Sequence, residues 1–245
     1  NGIVLSEKGR TAAEMLVFAR YVMFSEVYWH HAVRSATAMF QRAVWRLRDQ
    51  IPMREFATCG DMRAIVNLRR LARGTSVSTL LTGLFGARRR LYKRAAQFSP
   101  FERPDIYFRI AGRPYSWLVQ LGERITQLVA QRIHRELPPD TILPDAPPSR
   151  SETAVHVEIF SPDRADVSGV AGDYRELERV SPIIRTLSGG FPGDLSGRPE
   201  RFDDYVKKVR FLVSPEYAVP IRDLPELVPL IRQVVEDMSE TDDTE

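Results

Sequence analysis

Gly9 to Arg48 reads GRTAAEMLVFARYVMFSEVYWHHAVRSATAMFQRAVWRLR, a run without proline and without any glycine after its first residue. With both common helix breakers absent, the backbone has no local reason to leave the α-helical region. Leu16, Ala19, Met23, Val27 and Tyr28 recur at three- and four-residue steps, the spacing of one buried helix face. Ser6 or Glu7 is placed to open the segment, because a short oxygen-bearing side chain satisfies the unpaired N–H groups of a first turn. Pro52 closes it. The expectation is one long central helix, or two collinear ones, packed in a helical domain.

The flanking sequence continues in the same manner. A second helix is expected from Asp61 to Arg73, ended by Gly74, and a third from Ser78 to Phe98, with Gly83 and Gly86 weakening its first turns. Ser99 to Pro104 reads as a loop, and Ser116 to Glu136 as a helix with Leu118, Leu121, Ile125, Leu128, Val129 and Ile133 along one side. Proline then becomes dense from Leu137 to Pro148, which reads as an extended connector. Beyond it, residues 155–160 and 209–213 have strand character, and Ser181 to Leu187 suggests a short helix. Gly189 to Gly197 reads as a loop, and a last helix from Leu224 to Met238 precedes a frayed acidic tail. The fold class is therefore mainly α with a small α+β C-terminal piece. Its expected parts are a helical domain at 1–136, a proline-rich connector at 137–152 and an α+β subdomain at 153–245. Two strands make a marginal sheet, so that subdomain must lean on helices or borrow a partner's edge.

Composition narrows the functional classes. The chain is 43% hydrophobic and 27% charged, which supports a packed core rather than disorder. The single cysteine, Cys59, excludes an internal disulfide framework and fits a reducing, cytoplasmic setting. No uncharged apolar run is long enough to cross a membrane. The opening Asn1-Gly-Ile-Val-Leu has no initiator Met and no signal layout, and reads as the middle of a chain. Four scattered histidines and one cysteine do not make a zinc site. His30 and His31 are adjacent, which on a helix points them about 100° apart. Phosphate-loop and dinucleotide fingerprints are absent, as is the dipeptide His-Asp. No metal ligand and no catalytic residue is assigned within the chain.

Two polar constellations remain. Arg20 and Tyr28 stand eight residues apart, so on a continuous helix they share a stripe about 12 Å long. An arginine and a phenol so arranged could hold a phosphate at one end and a sugar hydroxyl at the other. The alternative is an arginine salt bridge beside a core tyrosine. The net charge of +3 hides a basic concentration from Arg63 to Arg94, within which Arg89 and Lys93 are four residues apart. On one helix face two such cations repel unless an anion lies between them, which points to a phosphate-bearing partner. A solvated ion-pair network and nucleic-acid binding, with Tyr92 and Phe98 as stacking rings, are the other readings.

These residues resemble a known family. Ile3 to Gly9, followed by Ala19-Arg-Tyr-Val-Met-Phe-Ser-Glu-Val-Tyr-Trp-His-His31, is similar to HD-superfamily phosphohydrolases related to dNTP triphosphohydrolases. Arg90-Leu-Tyr-Lys93 and Ser181-Pro-Ile-Ile184 follow in the family's order. The resemblance implies that Arg20 contacts nucleotide phosphate, Tyr28 borders the sugar, and His30 and His31 stand near a substrate or effector pocket. In a vertebrate member of the family, the segment matching Arg89 to Lys93 meets a regulatory nucleotide at a subunit interface, which makes Arg89 and Lys93 effector contacts. Phe24 stands where that member has a pocket histidine. The family's divalent-metal ligands lie upstream of the matching segment, so the resemblance implies a C-terminal half, inactive alone, that supplies nucleotide-positioning and oligomer contacts. The expected partners are a nucleotide (dNTP or GTP) and further copies of the chain. A non-catalytic nucleotide-sensing or scaffold subunit, and a basic nucleic-acid-binding module, are the alternatives.

Overall fold

The computed structural model describes residues 4–148, 157–161, 173–181, 184 and 202–242. The chain is mainly α-helical, with small sheets. It forms two compact units, each drawn from separate stretches: Asn1–His30 with Arg150–Lys207, and His31–Ser149 with Lys208–Glu245.

In the smaller unit, β1 (Val4–Ser6) passes through a 3-10 turn at Glu7–Gly9 into α1 (Arg10–Met23), which widens into a π-helical turn at Phe24–Tyr28. The larger unit then takes α2 (His31–Leu47), α3 (Met53–Thr58), α4 (Asp61–Leu71) and α5 (Val77–Phe85). It continues through β2 (Lys93–Phe98), α6 (Pro104–Ile110), α7 (Tyr115–Arg132) and β3 (Ile142–Asp145). The smaller unit resumes with β4 (Glu158–Ser161), β5 (Asp173–Glu176), α8 (Leu177–Val180) and α9 (Phe202–Val206). β6 (Val209–Val213), α10 (Ala218–Arg222) and α11 (Leu227–Asp242) complete the larger unit.

The larger unit is layered around a sheet of order β2-β6-β3, antiparallel on both sides of β6. Every residue of β6 is buried, as a central strand covered on both faces requires. Val209, Phe211 and Val213 point into a core with Leu121 and Ile125 of α7 and Ile231 and Val235 of α11. Leu212 points the other way, with Leu143, into a second core built on Met39 of α2, Leu68 of α4 and Leu80 of α5. The smaller unit has its own sheet, in which β4 pairs parallel with β1 and antiparallel with β5. Ala13, Val17 and Tyr21 of α1 pack there with Ile159, Leu177 and Ile184.

Several expectations change here. The long run is two helices, α1 and α2, assigned to different units. The side of α1 expected to be buried is the open one: Leu16 is 73% exposed, Met23 46% and Tyr28 56%, whereas Ala13, Val17 and Tyr21 are buried. Both sides are apolar, so periodicity alone could not choose between them. The helix expected from Ser78 to Phe98 stops at Phe85; the chain turns back against it at Arg90 and then forms β2. The Arg90 N–H donates to the Gly83 carbonyl at 2.9 Å, and a Cβ on Gly83 would lie 2.9 Å from the Arg90 oxygen. That close approach requires glycine. The proline-rich connector contains β3, four buried residues inside the larger unit. Pro144 is tolerated because β3 is an edge strand. The expected division at 137–152 therefore falls largely within the larger unit. The two expected strands do not pair with each other; β4 and β6 lie in different sheets. The helix expected at Ser181–Leu187 and the loop at 189–197 fall largely or wholly outside the described residues.

Candidate functional site

Arg20 lies in the last turn of α1 with its side chain exposed, and Tyr28 ends the π-helical turn that follows. The eight-residue stripe expected of these two assumes 3.6 residues per turn throughout. The wider turn shifts Tyr28 out of that phase. His30, also exposed, follows Tyr28 in the smaller unit, and exposed His31 opens α2 in the larger one. Arg20, Tyr28 and His30 thus share one short segment of one unit. Arg89 and Lys93 are exposed as well, but not on a helix: Arg89 lies between α5 and β2, and Lys93 begins β2. The helical spacing that was expected to set these two cations on one face is therefore absent.

An extended polar assembly among the described residues was not anticipated. Arg34, Arg42 and Arg46 lie at eight- and four-residue steps on α2, a stripe turned toward β3 and its approach. Arg34 forms a two-pronged pair with Asp145, its Nε donating to the carboxylate at 3.0 Å. Asp145 is the register partner of Arg210, whose Nε donates to Gln97 at 3.2 Å, so this row crosses all three strands. About two turns further along α2, Arg42 donates to Asp140 at 2.6 Å, and Arg46 donates to Asp140 and Glu123. The Tyr92 hydroxyl donates to the Asp140 carbonyl at 2.9 Å, and the Ser35 hydroxyl to the Tyr92 carbonyl at 2.9 Å.

Burial dominates the electrostatics of this network. It lowers the Arg210 guanidinium and raises the Tyr115 phenol. Burial and then the Asp140 charge raise the Tyr92 phenol. For Arg46, burial pulls downward, but hydrogen bonds to Asp140 and Glu123 leave the group raised. The assembly fixes α2 on the sheet. The signal for it was the arginine spacing on α2, but its two aspartates, Asp140 and Asp145, sit in the stretch that proline marks as a connector.

A second feature is a surface recess between α4 and α5, lined by Arg69, Arg70, Arg73, Ser78 and Thr82 over a floor that includes Ala72 and Leu81. Its arginines belong to the basic concentration visible in the sequence, although Arg89 and Lys93 are not among its lining residues. Among the described residues, no three of His, Cys, Asp and Glu converge as a metal-binding set. No described helix is long and apolar enough to cross a membrane.

An uncharacterized protein of Methanocaldococcus jannaschii is 28% identical over 188 residues, which cover 76% of this chain and 36% of that protein. A hypothetical protein from Aquifex aeolicus, known from a crystal structure, is 17% identical with a TM-score of 0.47; the match covers 89% of this chain and 46% of that one. The chain thus spans well under two thirds of the length of either. Residues 1–190 match the family described as HD associated region, most of the present sequence. The chain belongs to that HD associated region family.

Proposed function

We propose that this chain is the accessory half of an HD-domain phosphohydrolase acting on nucleotides, and that an HD metal-binding half covers the open face of α1. The observation that carries the reading is that α1 is apolar on both sides. Ala13, Val17 and Tyr21 face the smaller unit's core, while Met15 at 62%, Leu16 at 73%, and Val22 and Met23 at more than 40% exposed form an opposite apolar surface. A helix apolar on two opposite sides is suited to being covered on both, and family membership supplies the partner's class.

In the assembled protein, Arg20 lies at the edge of the covered face and binds substrate phosphate. Tyr28 borders the sugar, His30 and His31 stand beside the pocket, and Arg89 and Lys93 contact an effector nucleotide at a contact between copies. The HD half carries the divalent metal. This half contributes orientation, which accelerates a reaction by holding the substrate in its productive pose. The protein works in the cytoplasm as a homo-oligomer.

The test is steady-state dNTP hydrolysis by a protein containing both halves. Arg20→Ala should lower kcat/KM by tenfold or more, chiefly through KM, as loss of a charge-assisted phosphate contact does. An unchanged kcat/KM would remove Arg20 from the site. Nucleotide binding without release of triphosphate would instead favour the non-catalytic sensing subunit.

A further inference from the structure

The recess between α4 and α5 gathers three arginines, Arg69, Arg70 and Arg73, beside the hydroxyls of Ser78 and Thr82. Several other arginines of this unit find acids: Arg34 with Asp145, Arg42 and Arg46 with Asp140, Arg103 with Asp105, and Arg232 with Glu236. Among the described residues, the side chains of Arg69, Arg70 and Arg73 take part in no ion pair or hydrogen bond. The only acid between residues 61 and 94 is Asp61. It sits at the opposite end of α4, about 12 Å from Arg69 along the axis.

The C-terminal dipole of α4 accounts for part of this clustering, since Arg69 and Arg70 occupy its last turn. Half a unit of negative charge does not balance three guanidinium groups that line one recess and repel one another. A bound anion would relieve that repulsion, and Ser78 and Thr82 offer neutral donors beside it. At Ser78 and Thr82 the recess meets a second one, lined by Thr79, Arg90, Tyr92, Ser214 and Glu216. There Arg90 is paired with Glu216 at 3.4 Å, so that end is close to neutral and rich in hydrogen-bonding groups.

We infer that the α4–α5 recess binds the phosphates of a small polyphosphate ligand, with the adjoining recess available to an uncharged remainder such as a nucleoside. A nucleic-acid strand fits less well. The lining offers no exposed aromatic ring for bases to stack on, Tyr92 being buried. The site contains neither Arg20 nor Arg89 and does not depend on an HD half.

The experiment is calorimetric titration of the 245-residue chain with inorganic tripolyphosphate, dATP and GTP. The double substitution Arg69→Gln/Arg73→Gln should weaken tripolyphosphate binding at least tenfold. Arg109→Gln/Arg124→Gln, the same charge loss on exposed arginines outside both recesses, should leave it within twofold. Equal affinity for all three ligands would assign the site to phosphate alone; tighter nucleotide binding would bring the second recess into it, and either result supports the inference. It is overturned if no ligand binds at millimolar concentration, or if the control pair weakens binding equally. It is also overturned if affinity follows Arg89 and Lys93 instead, or if only oligonucleotides bind.

Discussion

Asp140 shows how much one buried carboxylate can organise. It accepts from Arg42 at 2.6 Å and from Arg46 at 2.9 Å, while its main-chain carbonyl takes the Tyr92 hydroxyl. Arg42 is almost wholly enclosed, so its charge is tolerable only while that carboxylate faces it. Asp140→Ala should therefore destabilise the protein by about 3–5 kcal/mol, the range for removing one partner of a buried pair. Arg46, more exposed and shared with Glu123, should matter much less. Urea denaturation checks both. A loss below about 1 kcal/mol for Asp140→Ala would mean that Arg42 turns to other acceptors or to water. Nothing in the sequence joins these two residues, because 98 positions separate them and no spacing rule spans that distance. What could be read was local: three arginines on one stripe of α2.

The elements themselves meet through close approaches that side-chain size controls. Gly122 lies inside α7, where glycine is unfavourable by about 1 kcal/mol relative to alanine. A Cβ there would lie 2.8 Å from the Ile142 carbonyl oxygen and 2.8 Å from Cδ of Pro144, both on β3. The obstructing atoms belong to backbone and a rigid ring, which cannot swing aside. Gly122→Ala should gain helix propensity yet lower stability by about 1–3 kcal/mol, the usual cost of overpacking. A neutral or stabilising result in the same denaturation assay would show that α7 can lift from the strand without loss. The strand that demands this glycine was hidden in the sequence by its prolines. β6 was legible to the residue because Val209 to Val213 is compact and bounded. β2 was read as helix, since Arg88 to Arg94 carries no alternation that a strand would show and the return of the chain against α5 is set by tertiary contact.

For the molecule as a whole, the helical character and the basic concentration were legible, but the grouping into units was not. A unit built from the first thirty residues and a stretch beginning at Arg150 has no local signature. The same is true of which side of α1 is covered, since both sides offer apolar residues. That ambiguity carries the last prediction. If the Met15, Leu16, Val22 and Met23 surface awaits an HD partner, it adds nothing to this chain's own core. Leu16→Glu/Val22→Glu should then leave the melting temperature of the isolated chain within a few degrees, because exposed positions rarely change stability much. The same pair should reduce self-association in sedimentation measurements, since a contiguous exposed apolar patch promotes it. In a protein that includes the HD half, the two charges would be buried without partners, so assembly and hydrolysis should fail together. Retained hydrolysis would place the HD half elsewhere and leave α1 without its proposed cover. A large fall in the isolated chain's melting temperature would show that this face already packs within the chain, and the docking reading would end there.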